Sequence, residues 1–305
     1  MTDSTVASLA ASNEEQREHF LALVASLRPR LHRYCAKMAG SALDGEDLVQ
    51  DTLAHAFFRL STLKDDASLE PWLFRIAHNR TIDWLRRKGA PGRLDAETVV
   101  ASPGTDADTT QQVTDAIKTV VTRLPPKERA CIVLKDVLGY PLTEISEIVD
   151  STVGGVKAAL HRGRSKLEAA PDTAPRSRPL RGDDERLVAA YVERFNRHDW
   201  EAVRDLLGKD ARLELVGVKE IDGANAIAAG YFTNYARIPE RWRLVLGVID
   251  GERVVVHQRS TDGGEWRHHA ALRIQWVDGK VACLRDYVHV DYLLEHADTQ
   301  ADPVL

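Results

Sequence analysis

The chain of 305 residues, 44% apolar and 29% charged, is long enough for two or three domains at roughly 100 to 200 residues each, and too apolar to be disordered. A net charge of −5 speaks against a partner gripped by overall positive charge, no run of 18 apolar residues offers a membrane span, and three scattered cysteines (Cys35, Cys131, Cys283) suggest neither a zinc site nor a disulfide framework. The first fifteen residues carry no Lys or Arg to open an export signal, so a reducing cytoplasm is expected, with no metal and no cofactor.

In chain order, residues 15–90 read as helical. Leu21, Val24, Leu27 and Leu31, then Leu48, Leu53, Ala56 and Leu60, then Trp72, Ile76 and Leu85 recur at steps of three and four. Charge is segregated within this stretch. Asp44, Glu46, Asp47 and Asp51 crowd 44–51 without a base, whereas 75–93 holds Arg75, Arg80, Arg86, Arg87, Lys88 and Arg93 against Asp83 alone. Residues 91–108, with Pro91, Gly92, Pro103 and Gly104, form a predicted linker.

A second helical unit is expected over 109–169. Val113, Ile117, Val120, Val121 and Leu124 make one apolar face, stopped by Pro125 and Pro126. Leu142, Ile145, Ile148 and Val149 make another, and a turn at Asp150 to Thr152 leads to Val153, Val156, Leu160 and Leu167. That spacing predicts a helix-turn-helix whose second helix carries Lys157, His161, Arg162 and Arg164 off its apolar stripe, where a helix in the major groove presents them to bases and phosphates. The plain alternative is a solvated basic face on a small bundle.

The residues that carry these patterns also resemble a family. "LPPKERACIVLKDVLGYPLTEISEIVDSTVGGVKAALHRGRSKL" at 124–167 is similar to the −35-binding domain of extracytoplasmic-function, group IV sigma factors. "DGEDLVQDTLAHAF" at 44–57 and "PWLFRIAHNRTIDWLRRKG" at 71–89 resemble that family's polymerase-binding and −10-reading helices, in the family's order. The resemblance implies that Asp47 and Asp51 dock on the clamp helices of the largest subunit of core RNA polymerase. It also implies that Asn79 and Asp83 capture an unstacked −10 base of promoter DNA while Arg80, Arg86 and Arg87 hold phosphates. For Asp44 and Glu46 the helix dipole is reason enough for the charge. Three positions depart from the family pattern: Asp150 stands for a turn Gly, Gly155 for a Thr and Ala159 for an Arg, the last implying one lost DNA contact.

Residues 170–184, with Pro171, Pro175 and Pro179, read as a second linker. Beyond it the composition changes, with eleven of nineteen aromatics lying in the last 121 residues. Helices are expected around 187–195, 200–207 and 224–235. Four apolar runs follow, separated by Asp250-Gly251, Asp262-Gly263 and Asp278-Gly279, the signal for antiparallel hairpins. The opening "YVERFNRHDWEAVRDLLGKDARLEL" at 191–215 resembles the SnoaL-like, NTF2-like α+β cone, implying a multidomain chain of two all-α domains followed by that cone over 185–296, with a tail at 297–305. A two-residue turn at Asp278-Gly279 pairs Trp276 with Val281, Ile274 with Cys283, Ala270 with Tyr287 and His268 with His289. His268, Tyr287 and His289 then form a candidate ligand pocket among Trp266, Trp276, Ile274 and Val281.

The function implied is an alternative sigma factor that lends polymerase its promoter contacts, is not itself an enzyme, has no membrane partner, and is regulated in cis by its last domain. Two other classes stay in view: a stand-alone regulator using only the helix-turn-helix, which leaves 44–88 without a purpose, and DNA-binding units fused to a ligand-binding or isomerase/cyclase-type enzyme.

Overall fold

The computed structural model describes residues 20, 22, 24–59, 69–89, 124–169, 182–237, 241–260, 264–295, 297 and 299–301. They fall into two compact units, one of helices up to Glu168 and one of mixed structure from Gly182 onward. The linker at 91–108 and most of that at 170–184 lie outside the described residues, as do the predicted helical face at 113–121 and the Asp262-Gly263 turn.

In the helical unit, α1 (Arg28–Ala39) is followed by α2 (Ala42–Phe58) and α3 (Leu69–Gly89). Gly40, at φ 80°, ends α1, and the Ser41 hydroxyl then accepts the Asp44 amide at 3.2 Å to start α2. Gly45 lets α1 and α2 approach closely, since a Cβ there would lie 2.6 Å from the Ala36 Cα. Next come α4 (Pro126–Ile132), which runs on as a π-helical turn over Val133–Val137, then α5 (Leu142–Ile148) and α6 (Val153–Glu168). Asp150 turns the chain between α5 and α6 at φ 48°, a conformation Asp tolerates better than most side chains. Thr152 caps α6 by accepting the Gly155 amide at 3.0 Å. A Cβ on Gly155 would sit 2.6 Å from the Ser151 hydroxyl, which gives this departure a local reason.

Both helical segments contribute to one hydrophobic core: Tyr34, Met38, Leu73 and Phe74 belong to the same cluster as Leu134, Tyr140, Ile145 and Val156. Each fully buried side chain of this size contributes on the order of 2 kcal/mol.

The second unit opens with α7 (Gly182–Asn196), so the helix begins inside the predicted linker, and α8 (Trp200–Leu206), capped by Asp199 on the Ala202 amide. Helices were expected first and an antiparallel sheet after them. Instead β1 (Leu207–Leu215) and β2 (Lys219–Asp222) precede α9 (Ala224–Ile227), a π-helical turn (Ala228–Phe232) and α10 (Thr233–Arg237). In β1, Ala211, Leu213 and Leu215 are buried at a period of two, after a register shift that follows the buried Leu207, and the neighbouring helical pattern hides this in the sequence. Then follow β3 (Arg241–Ile249), β4 (Glu252–Ser260), β5 (Arg267–Val277), β6 (Lys280–Asp286) and β7 (Thr299–Ala301). The sheet order is β2-β1-β6-β5-β4-β3-β7, with β1 and β6 parallel and every other pair antiparallel. Residues 299–301, expected in a tail, form an edge strand on β3.

Asp250-Gly251 and Asp278-Gly279 have positive φ at both residues and close two-residue hairpins as expected. Trp276 does pair with Val281. Beyond it the register slips, because β6 carries an extra residue, Ala282, and Ile274 faces Leu284 rather than Cys283. β5 in turn carries an extra His269 opposite the step from His257 to Gln258. Such bulges move every later side chain to the opposite face. The face toward the helices bears Leu213, Leu284, Leu272, Val255 and Leu244, packed with Tyr191, Phe195 and Phe232.

Candidate nucleic-acid interface and a buried polar cluster

On α2 the acidic residues divide by role. Glu46 is fully buried and accepts Arg28 at 3.1 Å and Gln50 at 2.6 Å, and Asp44 accepts Lys88 at 3.1 Å, so both tie α2 to its neighbours rather than only serving the helix dipole. Asp47 is half-buried. Asp51 lies 3.3 Å from His55 and 3.8 Å from Arg80, which brings the acidic helix and the basic helix α3 together through one residue from each predicted set.

Along α3, Asn79, Arg86 and Arg87 are exposed. Asp83 accepts Arg80 at 2.9 Å and lies 3.6 Å from Arg86. Its carboxylate orients the two guanidiniums that the sequence assigns to phosphates. Trp84 lies under the Lys88 ammonium at 4.2 Å, so one face of that ring is covered.

On α6 all four predicted DNA residues are exposed, yet they differ in freedom. Arg162 and Lys166 share the buried Glu128 at 2.9 and 2.7 Å, and these partners, Lys166 foremost, hold the Glu128 carboxyl below the ordinary carboxylate range. Arg164 forks onto Asp136 at 2.6 and 3.1 Å. Lys157 and His161 have no such partner among the described residues and line a groove of about 420 Å³ with Leu142, Leu160 and Arg164. Ala159 is fully buried in the core. The loss of a DNA contact expected at that position therefore does not arise, because in this helix the site faces inward.

The pocket set is not brought together. His268 is exposed and pairs with Gln258, His289 is exposed, and Tyr287 is buried on the face opposite Asp286. The physical reason is the extra residue in β6, which places Asp286 rather than Arg285 opposite Leu272 and so puts the even-numbered side chains of β6, not the odd-numbered set that includes Tyr287, on that face. The interior is polar at different residues, which the sequence reading missed. Tyr231 donates to Asp286 at 2.5 Å, Tyr235 lies 3.4 Å from the same oxygen and 3.2 Å from His257 Nδ1, and the Val288 amide donates to the other oxygen at 3.0 Å. Tyr191, His257 and Asp286 are fully buried. Burial pushes the Tyr191, Tyr231 and Tyr235 phenols well above their ordinary pKa, Asp286 adding to it, and pushes His257 down, so all four are neutral. The only signal in the sequence was the Tyr231/Tyr235 spacing of one helical turn.

Residues 23–90 match the family model for sigma-70 region 2 and residues 114–167 that for sigma-70 region 4. The ECF RNA polymerase sigma factor SigW of Bacillus subtilis (strain 168) is 30% identical over 164 residues, spanning 50% of this chain and 88% of the relative. The chain belongs to the ECF RNA polymerase sigma factors. This sigma factor directs core RNA polymerase to particular promoters, so the polymerase and promoter DNA are its partners. Residues 188–284 match the model for a SnoaL-like domain. SigG of Mycobacterium tuberculosis is 29% identical over 231 residues, covering 66% of the sigma factor and 62% of SigG, a little under two thirds of the relative's length. The crystal structure of the extracytoplasmic function sigma factor SigJ from the same organism is similar at 18% identity and a TM-score of 0.35, over 88% of this chain and 95% of that one. Among the described residues no helix is long and apolar enough to cross a membrane.

Proposed function

We propose that the SnoaL-like domain regulates this sigma factor in cis, by acting on a helical unit that must open to work, and that the domain is not catalytic. One observation carries the reading: regions 2 and 4 share a core. Phe74 and Tyr140 rings meet at 5.2 Å, the Tyr140 hydroxyl donates to Glu70 at 2.5 Å, Arg30 bonds the same carboxylate and lies 5.2 Å over the Tyr140 ring, and Arg129 donates to the Met38 carbonyl. Elements centred near −10 and −35 lie roughly 25 base pairs, or about 80 Å, apart along the duplex. Helices that share a core cannot span that distance. The two regions must part on the polymerase, and whatever biases the parting regulates the factor.

In the open form, Asp47 and Asp51 meet the clamp helices, with Asp51 released from Arg80. Asn79, Arg80, Asp83, Arg86 and Arg87 engage the −10 element, and Lys157, His161, Arg162 and Arg164 the −35 element. The test compares the full chain with one ending near Pro175, each reconstituted with core polymerase at equal concentration, with transcription starts and core affinity measured. Altered promoter-specific initiation is expected on removing the domain. Identical initiation and identical affinity would sink cis regulation.

A further inference from the structure

The acidic and basic helices of the helical unit are joined through a side chain that belongs to neither predicted set. His55 sits on α2 one turn after Asp51, half-buried, with Nδ1 3.0 Å from the Asp51 carbonyl oxygen and 3.3 Å from the Asp51 carboxylate. On its other side Nε2 lies 3.0 Å from Nη1 of Arg80 on α3. A guanidinium has only donors, so Nε2 must accept, and the two oxygens that face Nδ1 place the ring proton there. The imidazole is thus held in one tautomer, tied to the backbone of α2 and holding Arg80 of α3.

The ring changes how Arg80 meets the two carboxylates beside it. Arg80 donates to Asp83 at 2.9 Å, but its Nη1 stands 3.8 Å from the Asp51 carboxylate, beyond hydrogen-bond reach. Arg and Asp side chains this close ordinarily close into a forked pair, as Arg164 and Asp136 do at 2.6 and 3.1 Å. Here Nη1, the nitrogen nearest Asp51, is turned onto His55 Nε2 instead. Because Nδ1 lies closer to the Asp51 carbonyl than to the carboxylate, the ring keeps its place when a partner captures that carboxylate.

We propose that His55 is a positioning residue, a wedge that keeps Arg80 from closing on Asp51 and so leaves a carboxylate for polymerase and a guanidinium for promoter DNA on adjoining helices. Without the ring, opposite charges 3.8 Å apart draw together and each masks the other. With it, Arg80 is fixed by His55 at one terminal nitrogen and by Asp83 at the other, and its remaining N–H groups are left for phosphate oxygens. Asp83 in turn lies 3.6 Å from Arg86, so the position of the ring is passed along α3 to a second cation of the −10 set. The wedge stands on this geometry; its consequence for polymerase binding rests on the assignment of Asp51 to the clamp helices made above.

The test is a double-mutant cycle between Asp51→Ala and Arg80→Ala on the urea transition of the helical unit in the full chain, run once with His55 and once with His55→Ala. The affinity of the same chains for core polymerase is measured alongside. With His55 in place the two charges are expected to couple by less than about twofold in the unfolding constant, and in His55→Ala by about threefold or more, the range of a closed surface pair. Core affinity should fall by a similar factor in His55→Ala and return to the value of Arg80→Ala in the double variant His55→Ala/Arg80→Ala, a recovery that mere damage to α2 does not produce. Equal coupling with and without the ring overturns the wedge. Stronger coupling in His55→Ala with unchanged core affinity keeps the wedge and overturns the assignment of Asp51 to polymerase. A fall in core affinity that removal of Arg80 does not reverse comes from α2 itself and overturns the consequence for polymerase binding.

Discussion

Each unit buries a histidine against a tyrosine, and the two pairs differ in what surrounds them. In the helical unit Tyr34 and His78 are bonded at 2.8 Å inside a packed core, and burial takes His78 down to about 4. In the SnoaL-like domain His257 meets Tyr235 at 3.2 Å, but a buried carboxylate stands 3.7 Å from its second nitrogen, which has no hydrogen-bond partner among the described residues. The first pair is a packing element that happens to be polar. The second belongs to a buried polar cluster, so the helical unit keeps its basic row outside and the sheet domain keeps its polar cluster inside.

Removing Asp286 would break that contrast most severely. Asp286→Ala removes the carboxylate that accepts from the Tyr231 hydroxyl and the Val288 amide, leaving the Tyr235 hydroxyl to His257, and is expected to lower the stability of the sheet domain by about 2 to 4 kcal/mol, read as a urea transition that moves while the helical transition stays. His78 sharpens the contrast from the other side. Its pKa is 6.5 unfolded and about 4 folded, so the unfolded state binds the extra proton. The helical unit therefore keeps its full stability above pH 6.5 and loses it as the pH falls toward 4, by up to about 3 kcal/mol. His78→Gln should flatten that acid limb in a denaturation series, and an unchanged limb would assign it to other groups.

Smaller effects separate the cations on α6. Lys157→Ala should reduce the salt slope of −35 binding by about one unit. Arg162→Ala should reduce it by less, since Glu128 already holds that guanidinium, and equal slopes would mean that Glu128 lets go on DNA. The smallest effect is expected at the contact between regions 2 and 4. Tyr140→Phe removes the bond to Glu70 and should cost the closed unit about 1 kcal/mol, with a matching rise in affinity for core polymerase. A fall in affinity would mean that the closed form is the one that binds.

Much of this was legible in the amino-acid order, because helices and hairpins are set by neighbours along the chain. The three-and-four spacing of Leu48, Leu53 and Ala56, the turn at Asp150, the two Asp-Gly hairpins and the exposed basic row from Lys157 to Arg164 are all local features. So is the distinction between two helical segments and a mixed domain, which follows from breakers and aromatic content. The matches to sigma-70 regions 2 and 4 rest on these same segments.

What the tertiary structure decided depends on residues far apart in the chain. Arg30, Glu70 and Tyr140 meet only because two segments share a core, and the pairing of Arg162 and Lys166 with Glu128 joins residues 34 and 38 positions apart. β1 was hidden because Leu207 to Leu215 directly follows a helical pattern and becomes a strand by pairing with β6, some seventy positions on. The inner face of the sheet shows the limit most sharply. A hairpin turn sets register only until the first bulge, and one extra residue, Ala282, exchanges Tyr287 for Asp286 on the inner face. Side-chain direction in a strand has a period of two, so an error of one residue inverts it, and nothing local in the sequence announces where the extra residue will fall.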